Sequence, residues 1–313
     1  MEKLSGWEPD GLIVMPAGEE NKSIKTVAMV WRQLADGETD RQSLLLNLGG
    51  GVVTDLGGFA ASCYKRGIRF INIPTTLIGM ADAAIGGKTG VDLDGLKNQA
   101  GTFTLPEAVV IWPGFLKTLG RAHLRSGMAE VAKTALVADK RLWRALSSCE
   151  LSTLLENPAE DPSWMRWVRQ TAVIKNRIVA LDFREKDRRK LLNFGHTVGH
   201  AFESLMLQKG TPVTHGEAVA MGMICESFLS SSLSGLPEED LVSVTRWLMK
   251  GFGKHELVDE DMTVLLALMQ HDKKNREGVI RITGITEPGK GKTDIAVSVE
   301  QIRSAFRFYN EEV

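Results

Sequence analysis

The sequence is poor in cysteine and in net charge, and it lacks long apolar runs. Its three cysteines, Cys63, Cys149 and Cys225, are scattered and fit neither a disulfide framework nor thiolate metal ligation. The 38 basic residues are offset by 39 acidic ones, so we expect no nucleic-acid partner. No apolar run approaches the ~18 residues of a membrane span. The N-terminus has no apolar signal segment, and we therefore expect a cytoplasmic protein without membrane contact.

The chain is long and apolar enough for two domains. Hydrophobic residues make up 43% of its 313 residues, and single cores rarely grow beyond ~250–300 residues. Before residue 120, short apolar runs at 12–15, 43–48, 70–73 and 108–112 alternate with helical patterns, which indicates a parallel sheet. Beyond it the pattern is helical, at 124–138, 140–147, 164–182, 190–207, 216–233, 238–250 and 261–270. We predict an α/β domain over 1–120 and an all-α domain over 121–313.

Glycine-rich segments follow the predicted strands of the first domain. Ser23 is a candidate N-cap for a helix reaching about Leu34. Three glycines, 49–51, separate the strand at 43–48 from a helix predicted over 52–63. Backbone N–H groups at such a turn can bind a phosphate, although the G-x-G-x-x-G spacing is absent and a simple tight turn remains open. Residues 82–98, rich in glycine and lysine, predict either a solvated turn or a loop that binds a polyhydroxylated anion.

Polar residues recur at helical spacing in the second domain. His196 and His200 are four residues apart, so they share a helical face and suggest a divalent metal site. Arg189 and Asn193 extend this spacing, and a face with a cation, an amide and two imidazoles suits a polar anionic ligand better than a core. Glu130 and Lys133 face one site or form an exposed ion pair. The basic pair Lys273 and Lys274 is ambiguous between a surface loop and a site.

A succession of motifs, in order along the chain, is similar to one enzyme family. They are GGGVVTD at 49–55, YKRG at 64–67, PTTL at 74–77, DAAIGGKT at 82–89, KN at 97–98, GMAEVAK at 127–133, LNFGHTVGH at 192–200 and HGEAV at 215–219. This succession resembles 3-dehydroquinate synthase, a sugar-phosphate cyclase, over about residues 18–272. The remaining residues match more loosely.

The resemblance implies a homodimeric shikimate-pathway enzyme of aromatic amino acid biosynthesis. It would bind NAD and one Zn²⁺ or Co²⁺ per subunit. Its substrate, 3-deoxy-D-arabino-heptulosonate 7-phosphate, would be oxidised, would eliminate phosphate, and would then be reduced, opened and closed to 3-dehydroquinate. NAD would be recycled, and the substrate's own phosphate would assist the elimination.

The resemblance also assigns roles to individual residues. The metal ligands would be Glu130, His196 and His215, which moves His200 from the metal to the substrate phosphate. The carboxylate would be held by Arg189 and Lys88, and the hydroxyls by Asp82, Lys175 and Asn193. The phosphate would meet Asn98, Lys133, His200 and one of Lys273 and Lys274. Arg66 would reach across the dimer interface, and Glu185 would support the polar network. NAD would contact Glu19, Lys22, Gly50, Gly51, Asp55, Thr75, Thr76, Lys88, Lys97 and Thr118.

The sequence departs from the family in a few places, and three alternatives stay open. Family members usually have a longer N-terminal segment, so we expect a sheet without its first strands and weaker NAD binding. Ala81, Gly90 and Asp92 are also unusual, and Asp92 adds a negative charge to an anion-binding loop. The alternatives are a cyclase acting on a substrate without a carboxylate, a glycerol-dehydrogenase-like polyol dehydrogenase, and an inactive truncated homologue. Arg189, Asn193 and His200 argue against the first.

Overall fold

The computed structural model describes residues 8–93, 96–155, 162–270 and 279–312. The chain divides into two compact units, one of Met1–Pro74 with Gly87–Trp112 and one of Thr75–Gly86 with Pro113–Val313. Within the described residues, no helix has both the length and the apolar composition to cross a bilayer.

The first unit contains a three-stranded parallel sheet, two helices and a β-hairpin. In chain order its elements are α1 (Ile24–Asp36), β1 (Leu44–Gly49), α2 (Gly51–Cys63), β2 (Arg69–Pro74), β3 (Lys88–Leu93), β4 (Leu96–Phe103) and β5 (Ala108–Val109). The sheet order is β1-β2-β5 with both pairs parallel, and β3 and β4 pair antiparallel. Ser23 is the N-cap of α1, as predicted, and its Oγ accepts a hydrogen bond from the Thr26 backbone N–H.

Close approach of α2 to the sheet explains the paired glycines of that helix. Asn47 and Asn72 face each other on β1 and β2, and the Asn47 amide donates to the Asn72 side-chain oxygen at 2.9 Å. A Cβ at Gly57 would strike the Asn47 amide, and one at Gly58 would lie within 3.2 Å of the Phe70 ring. Because both asparagines are buried, their mutual hydrogen bond offsets part of the cost of their desolvation.

Three predictions for the first unit are wrong. Residues 12–15 form no strand, and Leu12 and Val14 are 68% and 72% exposed. The last strand ends at Val109 instead of residue 112. The loop predicted over 82–98 contains β3 and the start of β4, because glycines at 90 and 101 let the two backbones approach closely. A Cβ at Gly90 would lie 2.8 Å from the Ala100 carbonyl oxygen.

The second unit is mainly helical but also contains a β-hairpin that the sequence did not predict. Its elements are α3 (Arg121–Ala138), α4 (Lys140–Ser147), α5 (Leu151–Leu154), α6 (Pro162–Leu181), α7 (His196–Gln208), α8 (His215–Ser234), α9 (Glu238–Phe252), α10 (Asp259–Gln270), β6 (Ile280–Glu287), β7 (Lys290–Val297) and α11 (Val299–Arg307). The buried Ile282 and Ile285 lie on β6, and the Ile285 N–H donates to Ser230 Oγ of α8. The hairpin therefore covers the central helix α8.

The helix predicted over 190–207 is interrupted. Arg188–Asn193 is a short 3-10 helix, and α7 begins only at His196. Gly195 between them has φ 76°, a left-handed conformation that glycine adopts without the steric cost of a Cβ. The spacing predicts that Arg189 and Asn193 share a helical face with His196 and His200. This prediction is wrong, because the two pairs lie on different helices.

Two segments that the sequence assigned to the first domain group with the helical unit. They are Thr75–Gly86 and residues 113–120. Leu77 packs against Gly127 of α3, where a Cβ would meet the Leu77 side chain. A single boundary near residue 120 stays a prediction.

Candidate metal and substrate site

Glu130 and Lys133 lie in the interior of α3 and are each 1% exposed. They form an i,i+3 ion pair through Glu130 Oε2 and Lys133 Nζ. An exposed surface pair, one of the two sequence interpretations, is therefore wrong. Two buried charges are costly unless each has further partners, and both have them.

The partners of Glu130 are two histidines from different helices. Its Oε1 lies 3.2 Å from His215 Nε2 and 3.5 Å from His196 Nε2. We call Glu130, His196 and His215 the metal triad, because one ligand atom from each lies within 4.8 Å of the others. The His200 ring is close by, with its centroid 5.2 Å from that of His196. Among the described residues, the group with this spacing does not include His200.

Each histidine of the metal triad is held by its second ring nitrogen. His196 Nδ1 lies 3.1 Å from the Phe194 carbonyl oxygen, which can only accept, so Nδ1 carries the proton and Nε2 presents its lone pair. His215 Nδ1 lies 3.6 Å from Glu203 Oε2. Sequence reasoning missed Glu203, although it follows His196 and His200 at helical spacing on α7 and its position was a usable signal.

The charges around the metal triad favour a bound cation. Burial acts to lower the pKa of His215, but the neighbouring carboxylates of Glu130 and Glu203 outweigh it and raise that pKa to about 9. Burial and the neighbouring Lys133 hold the pKa of His196 well below 6.5. A metal would take the place of the His215 proton beside Glu130. Two imidazole nitrogens and one carboxylate match the donor set of catalytic zinc sites, so the residues fit Zn²⁺ or Co²⁺.

The start of α8 is fixed against α3. Thr214 caps α8 reciprocally with Glu217, and Glu217 also pairs with Arg125 of α3. The Gly216 N–H donates to Ser126 Oγ at 2.8 Å. A Cβ at Gly216 would collide with the Ser126 backbone, so glycine is required at this crossing. These contacts hold His215, the first residue of α8, close to the buried Glu130.

A second charged group surrounds Asp82. Lys175 Nζ lies 2.8 Å from Asp82 Oδ1 and donates to the Asp82 carbonyl oxygen at 2.6 Å, while Lys133 Nζ lies 3.6 Å from Oδ1. Burial acts to raise the pKa of Asp82, but Lys133 and Lys175 outweigh it and hold that pKa at about 2. Burial lowers the pKa of Lys175 despite the attraction of Asp82. The site therefore combines an ionised carboxylate with two buried amines.

Arg189 is buried and is held by the segment that precedes it. The Asp182 carboxylate accepts hydrogen bonds from the backbone N–H groups of Lys186, Asp187 and Arg189, at 2.9, 2.8 and 3.0 Å. Arg189 Nη1 donates to the Phe183 carbonyl oxygen at 2.7 Å. The charged run 182–190 is thus an ordered turn around Asp182, and it positions Arg189, which is 2% exposed.

The same segment orients two further predicted residues. Asn193 Nδ2 donates to Glu185 Oε1 at 2.8 Å, and Glu185 itself has φ 56°. A Cβ at Gly86 would lie 2.8 Å from Arg189 Nη2, so Gly86 leaves the space that the guanidinium occupies. The glycine, the arginine and the amide all belong to the second unit.

The first unit has its own buried polar cluster, centred on Lys22. Its Nζ donates to Asp55 Oδ2 and to Asn98 Oδ1, both at 2.7 Å. Burial acts to lower the pKa of Lys22, but Asp55, Glu19 and Asp92 outweigh it and the pKa is raised. Asp92 Oδ1 also accepts a hydrogen bond from the Asn98 backbone N–H, which gives the unusual Asp92 a structural role. Asn98, predicted at the phosphate, thus contacts Lys22, which was predicted at NAD.

The remaining predicted residues lie at element ends or on the surface. Gly50 is the N-cap of α2 and Gly51 its first residue, directly after β1. Thr75 and Thr76 follow β2, and Thr76 Oγ1 accepts from the Gly79 N–H at 3.1 Å. Glu19, Arg66, Lys88, Lys97 and Thr118 are exposed. Lys273 and Lys274 lie outside the described residues.

Comparison with known proteins identifies the family. Residues 12–126 match the family described as 3-dehydroquinate synthase N-terminal, and residues 127–275 match 3-dehydroquinate synthase C-terminal. The chain belongs to the 3-dehydroquinate synthase family. Among its relatives is the 3-dehydroquinate synthase of Parabacteroides distasonis, 40% identical over 312 residues, with 99% of this chain and 87% of the relative covered. The resemblance inferred from the motifs is therefore confirmed.

Two solved cyclases share the fold of this family member. One is 2-epi-5-epi-valiolone synthase from Streptomyces hygroscopicus subsp. jinggangensis, with NAD⁺ and Zn²⁺ bound. It is 32% identical with a TM-score of 0.86, over 96% of this chain and 82% of that one. The other is 2-deoxy-scyllo-inosose synthase with carbaglucose-6-phosphate, NAD⁺ and Co²⁺. It is 25% identical with a TM-score of 0.81, over 93% and 81%. The predicted pairing of a parallel-sheet domain with a helical domain is confirmed, with the β6–β7 hairpin as an addition.

Proposed function

We propose that this chain is a 3-dehydroquinate synthase. It converts 3-deoxy-D-arabino-heptulosonate 7-phosphate to 3-dehydroquinate and phosphate, with NAD as a recycled cofactor and one Zn²⁺ or Co²⁺ per subunit. The observation that carries the proposal is the buried Arg189, which lies in the same unit as the metal triad and the Asp82 cluster. A buried guanidinium suits a ligand carboxylate, because it can form two parallel charge-assisted hydrogen bonds.

The metal triad holds the ion in this proposal. When bound, the ion supplies Lewis acidity toward substrate oxygens, and NAD supplies a reversible hydride acceptor. His196 and His215 are oriented with Nε2 toward Glu130, because their Nδ1 atoms face the Phe194 carbonyl and Glu203. Three protein ligands leave coordination positions for substrate, as in catalytic zinc sites.

Charged side chains next to the metal triad would bind the rest of the substrate. Asp82, with a pKa of about 2, stays ionised at neutral pH and accepts hydrogen bonds from substrate hydroxyls. Lys175 donates to the same hydroxyls. Lys133 keeps its proton, because Asp82 and Glu130 outweigh burial and raise its pKa. With His200 it would attract the phosphate, and no residue of the chain is assigned as the base of the elimination.

The first unit would bind NAD. Gly50 and Gly51 place the N-terminus of α2 at the end of β1, a position suited to a pyrophosphate. The Lys22 and Asp55 pair would lie near the ribose and pyrophosphate. A homodimer in which the exposed Arg66 reaches the partner subunit, and a cytoplasmic location, also belong to this proposal.

A cyclase for a substrate without a carboxylate is the second candidate. The structural likeness to 2-epi-5-epi-valiolone synthase favours it. Arg189 and its ordered segment argue for the carboxylated substrate, because a buried guanidinium can bind a carboxylate through two parallel charge-assisted hydrogen bonds. A polyol dehydrogenase would oxidise its substrate in a net reaction instead.

Initial rates with two substrates test the assignment. The chain, with NAD and Zn²⁺, is given the heptulosonate phosphate or the corresponding heptulose 7-phosphate without the carboxylate, and phosphate is measured. We expect phosphate release from the first with no net rise in absorbance at 340 nm. Faster release from the second would support the other cyclase, and steady NADH formation with glycerol would support a polyol dehydrogenase.

A further inference from the structure

Glu226 is a fully buried acidic residue that none of the predicted roles includes. It lies in the interior of α8, and its side chain is 0% exposed. Its Oε2 accepts a hydrogen bond from the Gly195 N–H at 2.7 Å. Its Oε1 accepts from the N–H groups of Thr197 and Val198, at 3.2 and 3.3 Å. All three donors belong to the start of α7.

These bonds make Glu226 the cap of a helix to which it does not belong. The first N–H groups of a helix have no partner within the helix and need an acceptor from elsewhere. A side chain at the N-cap position usually provides it, but the N-cap of α7 is Gly195, which has no side chain. The carboxylate from α8 takes that place, and charge-assisted bonds at the positive end of the helix dipole compensate its desolvation.

The capped turn carries one histidine of the metal triad. His196 is the first residue of α7, and Glu226 anchors the N–H groups on both sides of it, at Gly195 and Thr197. Glu226 lies on α8, the helix that begins with His215. The same carboxylate therefore connects the backbones of the two helices that supply the imidazoles.

Because α7 packs tightly on α8, the bonds from Glu226 to the start of α7 also control the position of His196. A Cβ at Gly222 would collide with the Gly195 carbonyl, and one at Gly199 would lie 2.8 Å from the Ala218 carbonyl oxygen. A change in the first turn of α7 cannot be absorbed by loose packing, so it would move His196. We propose that Glu226 is a positioning residue of the metal triad, which fixes His196 relative to His215. This inference rests on the proposed metal site.

Two variants of Glu226 test this role against a purely structural one. Glu226→Gln keeps the shape of the side chain but places an amide N–H donor opposite backbone N–H donors. Glu226→Asp keeps the charge, but its shorter side chain brings the carboxylate less far toward α7. The control is Leu229→Ala, a cavity at a site 1% exposed on the same helix. Three quantities are measured: the melting temperature of the metal-free protein, the Zn²⁺ dissociation constant by chelator competition, and the visible spectrum of the Co²⁺ form.

We expect both Glu226 variants to raise the Zn²⁺ dissociation constant by roughly 10- to 100-fold, as loss of outer-shell partners does elsewhere. Their Co²⁺ spectra should differ from that of the wild type. Leu229→Ala should lower the melting temperature and leave both metal readouts unchanged.

The outcomes separate the inference from the metal site itself. Wild-type Zn²⁺ affinity and Co²⁺ spectra in both Glu226 variants would overturn the inference and leave the metal triad standing. Failure of both variants to fold, while Leu229→Ala folds, would assign Glu226 to fold stability alone and overturn it as well. A wild-type chain that binds no Zn²⁺ would overturn the metal triad and the inference together.

Discussion

Replacement of Arg189 by alanine removes the guanidinium assigned to the substrate carboxylate. The side chain is 2% exposed, so the carboxylate would lose its partner in a site with little access to water. Truncating one partner of such a buried, hydrogen-bonded charge pair costs about 2–5 kcal/mol. At 1.36 kcal/mol per factor of ten, kcat/KM for the heptulosonate phosphate should fall roughly 30-fold to several-thousand-fold.

Two matched variants make this prediction selective. Arg188→Ala removes an exposed arginine from the adjacent position and should change kcat/KM by no more than about twofold. Arg189→Lys keeps a charge but loses the planar pair of donors, so its rate should lie between those of Arg189→Ala and the wild type.

The assay measures phosphate release and zinc content together. Arg189 is not a member of the metal triad, so zinc by elemental analysis should stay at one per subunit in every variant. The loss caused by Arg189→Ala should be much smaller with the substrate analogue that lacks the carboxylate. Equal losses on both substrates, or unchanged turnover of the carboxylated one, would refute the assigned role of Arg189.

Three further variants probe other parts of the structure. Glu203→Gln removes a carboxylate from beside the metal triad and should raise the Zn²⁺ dissociation constant roughly 10- to 100-fold. Asp55→Ala leaves the buried Lys22 cation without its carboxylate, so the free energy of unfolding in urea should fall by about 3–5 kcal/mol. Because the pKa of Lys22 is raised above 10.5, this loss should persist at neutral pH and shrink as the pH rises through that pKa. Asp182→Ala should lower kcat/KM by about tenfold, and its effect should not add to that of Arg189→Ala.

Each of these predictions has a clear opposing result. Wild-type Zn²⁺ affinity in Glu203→Gln would show that the carboxylate does not orient His215. An unfolding free energy within 0.5 kcal/mol of the wild type, the range of ordinary surface changes, would show that Asp55 does not compensate Lys22. Full additivity of Asp182→Ala with Arg189→Ala would show that the turn acts independently of the guanidinium.

The strands and helices of the sheet region were predictable where local signals agree. Ser23 as N-cap, the apolar run at β1 and the glycines before α2 each point to the element that forms. The strand predicted at residues 12–15 does not form. Four apolar residues in a row predict a strand, but a strand also needs a neighbouring strand to pair with, and the sequence alone does not show whether one is present. The β3–β4 hairpin was hidden because its glycines, read as a loop, allow two backbones to pack closely.

The residues of the candidate site could be predicted from the sequence better than their arrangement in space. Spacing suggested His196 with His200, but the meeting of Glu130 with His196 and His215 depends on the packing of three helices, which spacing along the chain does not give. Arg189 and His196 were predicted on one helical face, but the left-handed Gly195 separates their two helices. A positive φ at a glycine cannot be predicted from a helical pattern of residues. The role of Glu226 could not be predicted, because its partners are backbone N–H groups of another helix. Every residue type except proline has such a group, so the sequence gives no signal for them.

The proposed function requires NAD to be a recycled cofactor in a redox-neutral cyclisation. Its most direct test is a complete conversion with NAD at about one tenth of the heptulosonate phosphate concentration, in the presence of Zn²⁺. We predict that 3-dehydroquinate and phosphate both form in amounts equal to the substrate supplied, so that each NAD serves many turnovers. Product formation that stops once it equals the NAD added, with NADH in equal amount, would contradict the claim.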